Sequence, residues 1–165
     1  MERFGMDFNT TPGRLNFYNI HPFDVLMDAI KNPAGAAERC QFVGQIETRG
    51  KKYLMVQARG DRDDGFIEAM GAALAGHLDH YICQINSVYP VEPKGRAPNL
   101  VRAALIEDGV EDERITLKRD LADAVDTLLR MGSAGDLLVF APGTGRPKSR
   151  VWDQILAFES DTGAD

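Results

Sequence analysis

Cysteine is scarce in this sequence. Only Cys40 and Cys83 occur among 165 residues, too few for a disulfide framework and without the paired spacing of a zinc site, so the expected compartment is a reducing one, the cytoplasm. No run of about 18 apolar residues appears, which leaves no candidate for a membrane-crossing helix and no membrane partner to expect. The opening Met1-Glu-Arg-Phe-Gly lacks the apolar stretch of a secretory signal. Positive charge is in deficit, 19 Lys and Arg against 25 Asp and Glu for a net charge of −6. General nucleic-acid binding rests on neutralising phosphates with cations, and this balance argues against it. Internal repeats and low-complexity blocks are absent as well.

What is present suits one domain. The chain is long enough to bury a core without staples, and 44% of it is apolar. Short runs rich in β-branched and aromatic residues predict strands at Leu15–Ile20, Phe23–Ala29, Lys52–Ala58, His80–Ile85, Arg114–Leu117 and Asp136–Phe140. Between them helical spacing predicts Pro33–Ile46, with Ala36, Ala37, Cys40, Val43 and Gly44 on one face, then Asp64–Leu78, Ala97–Asp108 and Asp120–Met131, the last capped by Gly132. Val151–Phe158 reads as a final helix. Alternation of this kind is the pattern of an α/β domain with an open, mostly parallel sheet and helices on both faces. The first two strands depart from it. Only His21 and Pro22 lie between them, too few for a crossover, so they are expected to pair antiparallel, with the first at a sheet edge. The unbroken apolar run Leu137-Leu-Val-Phe140 predicts a central strand covered on both faces.

In a parallel sheet the loops that follow the strands open on one edge, where α/β domains bind ligands. On that edge fall Lys31, Arg59, Arg62, Lys94, Arg96, Lys118, Arg119, Arg146, Lys148 and Arg150, ten of the 19 basic residues. An acidic chain that gathers its cations there offers a site for phosphate or carboxylate. Exposed loops are also simply charged, and Asp61, Asp63, Asp64, Glu92 and Asp120 dilute the same edge.

Several motifs do not carry chemistry. Gly143-Thr-Gly-Arg-Pro-Lys-Ser149 places Pro142 and Pro147 where a phosphate loop needs glycine, and proline has no N–H to offer. His77, His80 and Cys83 run from a helix end into a strand and need not converge on a metal. Cys83 sits in an apolar run as a packing residue, and neither a Ser-His-Asp nor a Cys-His signature is present, so no catalytic or metal-binding residue is assigned. Two turns invite more attention. Asp28-Ala-Ile-Lys-Asn-Pro33 ends a strand with a carboxylate and opens a helix with Asn32 and Pro33; the carboxylate suits ligand hydroxyls, while Asn32 followed by proline is also an ordinary helix cap. Gly60-Asp61-Arg62-Asp63-Asp64 puts Arg62 against a helix dipole that favours acids, which asks for an anion or a partner as its reason.

Thr11-Pro-Gly-Arg-Leu-Asn16, Asp28 with Asn32-Pro33, Gly60-Asp61-Arg62, Gly95-Arg96-Ala97-Pro98, Ala134-Gly135-Asp136-Leu137 and Val151-Trp152-Asp153-Gln154-Ile155 occur in the order and spacing of the C-terminal Mur ligase domain of cyanophycin synthetases, which this chain resembles from Thr11 to Phe158. The resemblance implies a Rossmann-like three-layer domain at residues 15–160, preceded by a hinge or linker at 1–14 and followed by a tail at 161–165. It implies a part of an ATP-dependent amide ligase that closes over ATP and Mg²⁺, held mostly by a central P-loop domain absent from this chain, and that is inactive alone. The substrate class implied is an amino acid or polypeptide; homo-oligomer formation stays open. By position Arg14 matches a hinge arginine that reaches nucleotide phosphates, Asp28 an aspartate near the ribose, with Asn32 beside it and Lys31 able to offer a further cation. Asp61 and Arg62 match a loop facing the cleft, with Arg96 as a further substrate-side residue. The family usually reads Asp-Tyr-Ala-His-Asn-Pro where this chain has Asp28-Ala-Ile-Lys-Asn-Pro33, so the aromatic and the histidine are replaced. A non-catalytic Mur-type module for interaction or weak nucleotide binding is the competing expectation.

Overall fold

A computed structural model describes residues 14–85, 95–142 and 146–159, excluding the side chains of residues 58, 85, 146 and 147. The sequence-stretches around Thr11–Gly13, Lys94 and Gly143–Gly145 lie outside the described residues. In chain order the elements are β1 (Asn16–Tyr18), β2 (Asp24–Met27), α1 (Pro33–Gln45), β3 (Lys52–Ala58), α2 (Asp64–Leu74), β4 (His80–Ile85), α3 (Arg96–Glu107), a short 3-10 turn at Asp112–Arg114, β5 (Ile115–Lys118), α4 (Leu121–Met131), β6 (Leu137–Ala141) and α5 (Arg146–Ala157). All six strands form one sheet in the order β1-β2-β6-β3-β4-β5. β1 runs antiparallel to β2, and every other pairing is parallel. The expected α/β architecture with an antiparallel first strand is therefore observed.

The last strand occupies the middle. β6 inserts between β2 and β3, with Leu138 opposite Val25 on one side and Tyr53 on the other. All five of its residues are buried, which agrees with its unbroken apolar sequence; each such Leu, Val or Phe contributes about 1.5–3 kcal/mol by leaving water. Alternation along the strand then sorts the core into two layers. Leu137, Val139 and Ala141 pack with Ala36, Cys40, Ile67, Leu74, Val101 and Leu105 of α1, α2 and α3. Leu138 and Phe140 pack with Val125, Leu128, Val151 and Ile155 of α4 and α5 on the opposite face.

Two helix boundaries differ from the sequence expectation by a turn or more, and one cap differs in conformation. α2 stops at Leu74 and not Leu78, because the Tyr81 hydroxyl donates to the Leu74 carbonyl at 3.0 Å and accepts from the Gly76 N–H at 3.3 Å, and Gly76 then turns the chain at φ 122°. α5 begins at Arg146, a turn earlier than the apolar spacing from Val151 indicates. Gly132 caps α4 as expected but in an extended conformation, not a left-handed one. Its reason is space: a Cβ there would lie 2.7 Å from the Phe23 ring and 2.9 Å from Leu138. Among the described residues no helix is long and apolar enough to cross a membrane.

Candidate functional site at the sheet switch point

The helices that follow β2 and β6 leave for opposite faces of the sheet, α1 to one and α5 to the other. A crevice opens between neighbouring parallel strands where the connections diverge in this way, and it opens at their carboxyl ends. The two strand ends are joined there by the Asp28 N–H, which donates to the Phe140 carbonyl at 3.0 Å. The segment from Asp28 to Asn32 and the first turn of α5 therefore face one another across the crevice.

A cleft of about 230 Å³ lies at this point, lined by Arg14, Leu15, Asp28, Lys31, Asn32 and Arg39, with Ala29 and Gly35. Four sequence-predicted residues, Arg14, Asp28, Lys31 and Asn32, are brought together here. Arg14 arrives through the antiparallel pairing of Asn16 with Met27, which sets the start of β1 beside the end of β2. Its backbone N–H donates to the Oδ1 of the fully buried Asn16 at 3.3 Å. Asn32 is the N-cap of α1: its Oδ1 accepts from the Gly35 N–H at 2.7 Å, and Pro33 stands at the start of the helix. That is the helix-cap arrangement the Asn-Pro pair also allowed, and it leaves the side-chain nitrogen facing outward from the cap bond. Lys31 is exposed.

Asp28 is engaged from both sides. It is only 4% exposed; its Oδ1 accepts from the Leu15 N–H at 3.2 Å, and its Oδ2 pairs with the Arg39 guanidinium. Arg39 carried no signal in the sequence beyond being a polar position on α1. Lys148 was countable among the edge cations, and the structure brings it within electrostatic reach of Arg14, Lys31 and Asp28 beside the cleft. Its ammonium is held below the usual lysine range, first by partial burial and then by the charges of Arg14 and Lys31, with Asp28 opposing the shift. Arg14, Lys31 and Lys148 thus form a cationic group that an anionic ligand would relieve.

The second predicted group gathers on the loop after β3. Arg59 donates to both oxygens of Asp61 at 2.9 and 2.6 Å, and this pairing pulls the carboxyl below the usual range. Arg96, at the start of α3, pairs with Asp64 and donates to the Arg62 carbonyl at 3.3–3.4 Å, which ties the loop to the next helix. Arg62 lies 5.3 Å above the Phe66 ring. That stacking supplies a local reason for a cation at the N-terminus of α2, where sequence reasoning asked for an anion or a partner. Beneath the loop is a small pit of about 20 Å³ between Val56, Gln57, Phe66 and Met70, and Lys31 lines both this pit and the larger cleft. Gln57 donates to Gln84 at 2.8 Å and Gln84 donates to the Arg119 carbonyl at 3.0 Å, a buried amide relay across β3 and β4 with no sequence signal.

His80 meets the Thr116 hydroxyl at 2.9 Å, and burial raises the Cys83 thiol to about 12. Among the described residues no group of three metal-binding side chains occurs.

Known proteins bear on this geometry. No protein-family model matches the chain. The cyanophycin synthetase of Trichormus variabilis is 29% identical over 146 residues, covering 86% of this chain and 16% of that protein. The UDP-N-acetylmuramoyl-L-alanyl-D-glutamate--2,6-diaminopimelate ligase of Syntrophomonas wolfei is 28% identical over 153 residues, covering 90% and 30%. A solved structure of a ligase of that last name superposes with a TM-score of 0.67 at 17% identity over 89% of this chain and 32% of the other. The chain is similar in sequence to a part of these ligases and shares the fold of one domain of the solved one. E. coli FolC in complex with ADP shares the Mur-type fold, with a TM-score of 0.64 at 21% identity over 88% of this chain and 32% of that one. The chain spans about 16% of the length of the cyanophycin synthetases it matches.

Proposed function

We propose that this Mur-like domain serves an ATP-dependent amide ligase of the cyanophycin synthetase kind, closing over a nucleotide held by a central P-loop domain outside this chain. The observation that carries the reading is the meeting of Arg14, Lys31 and Lys148 at the crevice between β2 and β6. Arg14 and Lys31 in one cleft of an acidic chain, with Lys148 in electrostatic reach, suit a nucleotide polyphosphate, and E. coli FolC, which shares the fold, has been solved with ADP. Arg14 and Lys31 would meet phosphate oxygens. Asn32, while capping α1, presents its amide nitrogen at the rim, and Asp28 forms the carboxylate floor beside the ribose. Asp61, Arg62 and Arg96 would face the amino acid or polypeptide substrate across the cleft. ATP activates the acid as an acyl phosphate when bound; Mg²⁺ is assigned to the central domain with the phosphates. The folded unit runs over 15–160, with 1–14 as the hinge, and acts in the cytoplasm.

Calorimetric titration of ATP with Mg²⁺ into this chain alone is expected to show binding no tighter than millimolar; a micromolar constant would overturn the division of labour between domains. In a full-length parent, Arg14→Ala and Arg62→Ala should each cut turnover without unfolding the domain. One observation favours the second reading, a non-catalytic module: the Asp28–Pro33 turn carries Ala29, Ile30 and Lys31 in place of the family's aromatic and histidine. Unchanged kinetics in both variants would support it.

A further inference from the structure

Leu15 is the one described residue other than glycine with a positive φ, 49°. A branched side chain pays for that left-handed conformation, so something must hold it there. Its own N–H identifies the holder, because it donates to Asp28 Oδ1 at 3.2 Å. Asp28 is fixed in turn by Arg39, which reaches its other oxygen from the second turn of α1. α1 is anchored by its buried face through Ala36, Cys40 and Val43. A continuous path thus runs from a rigid helix through an ion pair to the backbone next to Arg14. The carboxylate is the group this path requires: it accepts from the Leu15 N–H on one oxygen and carries the negative charge that pairs with Arg39 on the other, whereas an amide of the same shape would turn a neutral donor towards the guanidinium.

We propose that Asp28 and Arg39 are positioning residues that latch the Arg14–Leu15 backbone in its left-handed turn and so aim the Arg14 guanidinium into the cleft. The aiming of Arg14 at an anion rests on the nucleotide reading above; the latch itself does not. Charge and latch make opposite predictions for one substitution. Asp28→Asn removes a negative charge from an anion site and releases Arg39, so electrostatics alone tightens anion binding. Loss of the latch lets Arg14 swing away and weakens it.

The experiment uses this chain, its Asp28→Asn and Arg39→Met variants, and pyrophosphate as the probe. Arg39 is partly exposed on its helix, so Arg39→Met retains the fold if Asp28→Asn does not. In ligand-free protein the Leu15 amide should exchange with solvent about tenfold faster or more in both variants, while the amide of Val139 in the central strand is unchanged. By NMR titration, pyrophosphate should bind Asp28→Asn more weakly than wild type. Unchanged Leu15 exchange overturns the latch, and tighter pyrophosphate binding by Asp28→Asn overturns the aiming of Arg14. A wild type whose Arg14 and Lys31 signals do not move at millimolar pyrophosphate overturns the aiming of Arg14 at an anion while leaving the division of labour between domains standing, and the exchange rates then decide the latch by themselves.

Discussion

The Asp136 carboxylate occupies the space that a side chain on Gly50 would need, and it does so because it is bound to the loop on which Gly50 sits. Its Oδ1 accepts from the Lys51 N–H at 2.7 Å and its Oδ2 from the Ser133 N–H at 2.8 Å. The turn before β6 is thereby clamped to the turn before β3. Asp136 is 4% exposed, so its removal leaves two backbone donors without their charged acceptor. Asp136→Ala is expected to lower stability by about 2–4 kcal/mol, read from the midpoint of urea unfolding at constant slope. Gly50→Ala should cost a comparable amount, although alanine is ordinarily harmless in a loop.

Gly71 gives a prediction whose sign separates two effects. In an exposed helix, Gly→Ala stabilises by about 1 kcal/mol. Here a Cβ would lie 2.7 Å from the Ala104 Cβ and 2.8 Å from the Val101 carbonyl oxygen, where α2 crosses α3. Overpacking of this kind costs about 1–3 kcal/mol, and neither neighbour can retreat, one being backbone. Gly71→Ala should therefore destabilise. A stability gain in thermal unfolding would show that the helices part more easily than their packing implies.

Asn32 has a cap to keep and a cleft to line, and Asn32→Asp separates the two. Aspartate caps a helix as well as asparagine does, so the acceptor for the Gly35 N–H survives and stability should change by less than about 0.5 kcal/mol. The added negative charge beside Lys31 should weaken pyrophosphate binding in the same preparation. Asn32→Ala should do the reverse, costing about 1 kcal/mol of stability with a smaller effect on binding. Parallel unfolding and NMR titrations of both variants read this out.

The strand pattern was legible because physics repeats at short range. Two residues cannot make a crossover, so His21-Pro22 announced an antiparallel pair, and four apolar residues in a row announced a strand covered on both faces. Sheet order was not legible, since nothing local to Leu137–Ala141 says that β2 and β3 will stand on either side of it. The end of α2 was missed for a similar reason: Leu78 continues the apolar spacing, but the Tyr81 hydroxyl takes the Leu74 carbonyl from a later strand. Within the cleft, Arg14, Asp28, Lys31 and Asn32 stood out as motif residues. Arg39 did not, because a polar position on an amphipathic helix looks like any solvated one until its partner is placed, and Lys148 was one cation among ten until α5 folded back across the crevice.

Lys148 gives the cleft a pH dependence. Its native pKa is below the 10.5 of an unperturbed lysine. While both folded and unfolded forms are protonated, the crowded ammonium destabilises the fold; that penalty fades as pH rises from the native value towards 10.5. A bound anion acts in the opposite direction, favouring the ammonium. Pyrophosphate affinity should accordingly fall as pH rises through the lowered value, before an ordinary lysine would titrate. NMR titrations between pH 7 and about 10 should show this early loss in wild type and not in Lys148→Met, and an identical profile in the two would remove Lys148 from the site.

The central place of β6 has a consequence for how the protein is made. Until residues 137–141 have left the ribosome, β2 and β3 have no neighbour to join them, because each touches the other only through the strand between. The hairpin of β1 and β2 must wait unattached while more than half of the chain is synthesised, with Phe23, Val25 and Met27 in want of the layer that will cover them. Pairing across so long a stretch is slow to search for, and in that interval the unjoined edge of β2 is the part of the nascent chain most open to wrong partners. Translation that stalls before Leu137 would release two halves of a sheet, not a smaller domain.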